Sequence, residues 1–194
     1  MIDFLQYLFL AAVIYWIVAI YNKPSSWTYY LQFMPVFGFI RYMRLQDTPA
    51  EAWHTAFTFG GLLAAGAIVI CLQQRIVMNR IYLGANAYLM LGASAFLFDM
   101  PTVLKWYSSS QGGPFFTMIA IIGLLTTLFT KTGFVGKKGL NKDAVRYGSF
   151  LLLAATFMAL IWSIQNASQG IMVAVVVPFI VLKFIQKQMK YHIS

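Results

Sequence analysis

Residues 52–72 read AWHTAFTFGGLLAAGAIVICL, with no charged side chain from Ala52 to Leu72. At about 1.5 Å of rise per residue such a helix is about 30 Å long, the thickness of a bilayer's hydrocarbon core. A charge at the centre of a membrane helix costs about 2.5–3.5 kcal/mol, so long uncharged runs between short charged connectors point to lipid as the solvent. The same pattern recurs at 4–21, 81–98, 114–130, 147–164 and 171–186, and Lys183 is the one charge that falls inside any of these runs, close to its end. The expected fold is an all-α integral membrane protein, a polytopic helical bundle of six or seven transmembrane helices forming a single domain over 1–194.

The span count turns on residues 25–43. The apolar part, Trp27 to Ile40, is short and carries Pro35 in its middle, so it crosses only if Lys23, Arg41 and Arg44 snorkel at its two ends. The alternative is a re-entrant or surface-lying segment.

Charge sets the orientation. The connector from Lys131 to Arg146 carries Lys131, Lys137, Lys138, Lys142 and Arg146, and the tail carries Lys183, Lys187 and Lys190, whereas the hairpin 165–170 between the last two runs has none. Basic connectors face the cytoplasm, which places both stretches, and Arg75 with Arg80, inside and Lys105 outside. The absence of Lys and Arg before the first run, and Lys23 just after it, favour an outside N-terminus, and the tail is then cytoplasmic after an odd number of crossings. No removable signal peptide is expected, so the first run acts as an anchor. A multi-pass location in a bacterial inner membrane is the expectation. Trp53, Trp106 with Tyr107, and Trp162 mark the outer boundary, and Trp27 with Tyr29 and Tyr30 the inner one.

The net charge of +9 is spread over connectors and forms no single basic face, so nucleic acid is not an expected partner. The five acids and His54 and His192 make no metal-ligand spacing, and no cofactor motif is present, so neither metal nor cofactor is expected. Cys71 is the single cysteine and reads as a small buried hydrophobe.

Several groups remain as candidates. Ala56, Gly60 and Ala64 form a small-residue row that lets another helix approach, within the chain or across a homodimer seam. Asn86, mid-span, must find a hydrogen-bond partner or line a cavity. Ser149, Thr156 and Ser163 recur every seven residues on one helical stripe, and Pro178, which frees the carbonyl of Ala174, should bend the last helix. Lys131, Lys137, Lys138, Lys142 and Arg146 suit contact with anionic lipid headgroups at the cytoplasmic face. Asp47, Glu51 and His54 form a polar cluster on the outer face.

Together these features point to a non-enzymatic accessory, immunity or assembly component that binds a membrane protein partner or lipid. A small permease or channel for a neutral solute would instead need Asn86, the Ser149–Ser163 stripe and Pro178 to converge on one cavity. A membrane enzyme acting on lipid headgroups would need Asp47, Glu51 and His54 to meet Asp99 or Lys105.

Overall fold

The computed structural model describes residues 28–43, 49–109, 112–136 and 141–192; the expected first span, 4–21, lies outside them. Among the described residues there are helices and turns and no strand. The helices are α1 (Thr28–Leu31), α2 (Met34–Met43), α3 (Pro49–Gln73), α4 (Arg80–Leu97), α5 (Pro101–Ser109), α6 (Gly113–Phe129), α7 (Lys142–Gln165) and α8 (Val177–His192). A short 3₁₀ turn (Ala167–Gln169) and a π turn (Met172–Val176) join α7 to α8.

Among the described residues three helical stretches are long and apolar enough to cross a membrane, Ala52–Gln73, Lys142–Gln165 and Met172–Lys190, and a fourth is added if Pro101–Ser109 and Gly113–Phe129, bent by 106°, form one span. This is fewer than the six or seven expected. One expected span, 4–21, lies outside the described residues; of the others, α4 carries Arg80, Tyr82, Asn86 and Tyr88, which lower its apolarity, and α6 has only 17 residues. Residues 25–43 do not form one helix. Pro35 has no N–H to bond back to Leu31, and the chain breaks into α1 and α2 with a turn at residues 32–33.

Small residues set how the helices meet. α4 is the centre of the bundle, flanked by α3 and α6, with α2 beyond α3 and α7 beyond α6. Its buried face includes Gly84, Ala85, Gly92 and Ala95. A Cβ on Gly84 would lie 2.6 Å from the Cα of Ile119, so the α4 and α6 backbones touch there and no side chain fits between them. Ala56 and Ala64 on α3 are fully buried, and Gly60 packs between Phe39 and Leu89, so the small-residue row faces α2 and α4 of the same chain.

α1 and α2 lie antiparallel along most of α3. Leu31 packs in a cluster with Ala67, Ile70 and Cys71, and at the other end the Phe39 ring packs edge-on to Trp53 (6.1 Å) and tilted against Phe57 (4.8 Å). Around Phe57 a second, aromatic cluster forms with Tyr88, Phe96 and Tyr107. Tyr107 brings the short α5 into this cluster, lying flat on Tyr88 and donating its hydroxyl to the Tyr88 carbonyl at 2.7 Å.

The break expected at Pro178 takes the form of a π turn. The amide of Val177 donates to Met172, five residues back, and this wider turn just precedes the buried proline.

Candidate binding cleft

The turn between α3 and α4 is built around Asn79. With φ −64° and ψ 126° it caps α4, its Oδ1 accepting from the amide of Ile81 at 3.0 Å. That bond fixes the orientation of the side-chain amide, and its Nδ2 therefore points the other way, donating to Gln186 Oε1 on α8 at 2.8 Å. The backbone N–H of Asn79 donates to Gln32 Oε1 at 2.7 Å, which fixes the Gln32 amide in turn. Three segments distant in sequence are joined by this one asparagine.

The arrangement leaves donors over. Gln32 and Gln186 are 1% and 2% exposed, and in both the amide oxygen is engaged while Nε2 has no acceptor among the described residues. Arg80 Nε is likewise buried without a partner, and the Arg80 side chain packs beside Gly136. A buried donor left unpaired costs about 1–3 kcal/mol, and bundles seldom retain several close together. Behind this layer Asn86 Nδ2 donates to the Gln32 carbonyl at 3.1 Å, and Asn86 Oδ1 is buried without a partner among the described residues.

Gln32 and Asn79 form part of the wall of an open cleft of about 1030 Å³, whose rim carries Lys183, Lys187 and Lys190. Lys183 is held in place from two sides: its Nζ donates to Gln186 Oε1 at 3.2 Å and sits 4.0 Å from the centre of the Tyr82 ring. Gly136 closes the cleft on the connector side. Residues 76–79, Gly136 and the lysines of the 183–190 segment therefore meet at one cleft. Electrostatically this is a pocket with fixed cationic and N–H donor groups, suited to an anion with several oxygens.

The residues singled out from sequence are dispersed. Ser149 Oγ accepts the amide of Phe134 at 2.9 Å, tying the glycine-rich connector to α7 and burying Phe134 and Val135. Gly133, at φ 55°, passes so close to Ser149 that a Cβ there would collide with its hydroxyl. Thr156 donates back to the Leu152 carbonyl at 2.8 Å, whereas Ser163 is buried beside Gly112 with no partner for its hydroxyl among the described residues. Pro178 lines a separate apolar groove with Trp162, whose Nε1 donates to the Val173 carbonyl. Asn86, the α7 stripe and Pro178 thus have separate surroundings among the described residues.

On the connector, Lys131, Lys142 and Arg146 are exposed, and Lys137 and Lys138 lie outside the described residues. Asp47 and the Glu51 side chain also lie outside them, and His54 is exposed with its ring edge-on to Phe96. No group of three or more potential metal ligands occurs among the described residues.

Sequence reasoning missed Gln32, Asn79 and Gln186. The available signal was the Lys183/Gln186 pair, three residues apart and so on one helical face, together with an Asn at the start of a span. Nothing in the sequence pairs Gln32 with Asn79. No protein family, curated protein or solved structure matches this chain.

Proposed function

We propose that this chain is a multi-pass membrane protein that works by binding, as an accessory, immunity or assembly component, and that the cleft between Gln32, Asn79 and Lys183 holds an anionic group at the cytoplasmic face. The observation that carries this reading is the Gln32 amide: a buried group of the cleft wall, fixed by its bond to Asn79, with Nε2 lacking an acceptor among the described residues while three lysines line the same cleft. A phosphate or carboxylate oxygen satisfies that donor and the lysines together.

Seven spans, with an outside N-terminus and a cytoplasmic tail in a bacterial inner membrane, fit this reading. The 74–79 turn, Gly136 and the 183–190 segment share one cleft, so α4 leads away from the basic end and α6 returns to it, as do α7 and α8. At 18 residues α4 is about 27 Å long, enough to cross with little mismatch. Residues 28–43 run beside α3 from Cys71 to Trp53 despite their central break, which supports a seventh crossing. The positive-inside rule places the shared basic end in the cytoplasm.

The test is a ligand titration on protein purified in neutral detergent, with glycerol phosphate as probe and the thermal midpoint as readout. Binding to the folded state should raise the midpoint in proportion to ligand occupancy. Gln32→Glu keeps an oxygen for the Asn79 amide and replaces the free donor with a negative charge, so the shift should vanish while the unliganded midpoint is retained. No shift in the wild type, or an equal shift in Gln32→Glu, overturns the reading.

A further inference from the structure

The cleft does not end at its polar wall. Phe33 and Tyr82, which line it, also line a second groove of about 210 Å³ that runs between α2 and the π turn. That groove is walled by Val36, Phe37, Ile40, Val176 and Phe179, with Phe115 at its floor, all apolar. Tyr82 is the hinge between the two: its ring takes the Lys183 ammonium on one side and lies 5.9 Å from Phe33 and 6.0 Å from Phe179. Phe37, on the rim, is 66% exposed, so the groove opens sideways away from the bundle core.

A basic, donor-rich pocket continuous with an apolar trough has the shape of an amphiphile. The geometry points to an anionic phospholipid as the occupant, its phosphate at Gln32 and Lys183 and one acyl chain along Val36, Ile40 and Val176. This rests on the anion-binding reading of the cleft and adds the source of the anion. A free phosphate would use the lysines and leave the trough empty; a neutral lipid would fill the trough and leave the Gln32 donor unmet. The π turn belongs to the site, since it presents Val175 and Val176 on the trough wall as the chain approaches Pro178.

Delipidated full-length protein in neutral detergent provides the test, with phosphatidylglycerol, phosphatidylcholine of the same chains, and glycerol phosphate as separate probes, read by native mass spectrometry and thermal midpoint. The wild type should retain one phosphatidylglycerol, bind it about tenfold or more tighter than phosphatidylcholine, and bind glycerol phosphate about tenfold or more weaker than the lipid. Val176→Trp, which fills the trough, should bring phosphatidylglycerol down to the level of glycerol phosphate and leave glycerol phosphate binding unchanged. Val36→Phe, on the opposite wall, serves the same purpose if the first variant unfolds.

The outcomes separate the two readings. Equal wild-type affinity for phosphatidylglycerol and glycerol phosphate, or full lipid affinity in a folded trough-filled variant, overturns the lipid assignment and leaves the anion cleft standing. Equal affinity for the two phospholipids overturns the headgroup's part in the lipid site. Failure of both anionic probes to bind the wild type overturns both readings.

Discussion

On one side of the bundle Tyr107 lies flat on Tyr88 with its hydroxyl bonded to the Tyr88 carbonyl, and Phe57 is sealed among five aromatic rings. At the other end Gln32 and Gln186 are just as buried, yet each holds an N–H that bonds to nothing among the described residues; Gln32 lines about 1030 Å³ of open cleft, and Gln186 bonds two of its lining residues, Asn79 and Lys183. α4 contributes to both, with Tyr88 in the first and Tyr82 in the second. Close packing with satisfied polar groups stabilises a bundle, whereas oriented but unsatisfied donors at a cleft lower its stability and become useful only when a ligand arrives. The contrast assigns stability to the aromatic half and binding to the amide end, and substitutions in each should behave differently.

The largest effect is expected where both halves depend on the same contact. Gly84→Leu puts a side chain where the Ile119 backbone already stands, and the whole α4–α6 interface must separate. Loss of folded, monodisperse protein on size-exclusion chromatography is the expected result. A well-behaved Gly84→Leu protein would mean that the close approach of α4 and α6 is not what holds the bundle.

Next comes Phe57→Ala in the aromatic half. Removing a fully buried phenyl ring that also packs against Gly92 should cost about 3–5 kcal/mol in reversible unfolding, with phosphate-probe binding unchanged in the fraction that remains folded. A loss of binding equal to that seen at the amide end would erase the division between the halves.

Ser149→Ala tests the connector that closes the cleft. The Phe134 amide loses its acceptor, at about 1–3 kcal/mol, and proteolytic cleavage within 131–141 should accelerate. Unchanged cleavage would show that Phe134 and Val135 are anchored by apolar packing alone.

How much of this was legible in the sequence follows the range of the forces involved. The uncharged runs at 52–72, 81–98, 114–130 and 147–164 became α3, α4, α6 and α7, because exclusion of charge over a whole helix is a local property. Helix starts moved where a cap intervened: α7 begins at Lys142 and not at residue 147, since Asn141 Oδ1 accepts the amide of Asp143. Pro35 and Pro178 marked where helices break, but whether a break becomes a turn or a π turn depends on what packs against it. The cleft was not legible at all. Its two key hydrogen bonds join residues 47 and 107 positions apart, and each amide alone looks like an ordinary polar residue near a span end. The Ser149–Ser163 stripe was visible as a face, but its members found three different kinds of surroundings, because hydroxyls can be met by a neighbouring loop or by their own helix.

The smallest expected change in stability carries the sharpest test of the contrast, because its sign differs. Gln186→Glu keeps an oxygen for both Asn79 Nδ2 and Lys183 Nζ, and it converts their shared acceptor into a charged one. It also removes the unpaired Nε2. The loss of an unmet donor and the new ion pair with Lys183 favour folding, while desolvating a carboxylate opposes it, so the unfolding free energy should stay level or rise by about 1 kcal/mol. Anion binding should fall about tenfold, since the carboxylate neutralises Lys183 and repels a phosphate. In the aromatic half no substitution is expected to weaken ligand binding while preserving stability. If Gln186→Glu lowers stability and binding together, Gln186 is a structural residue like Phe57, and the amide end loses its separate role.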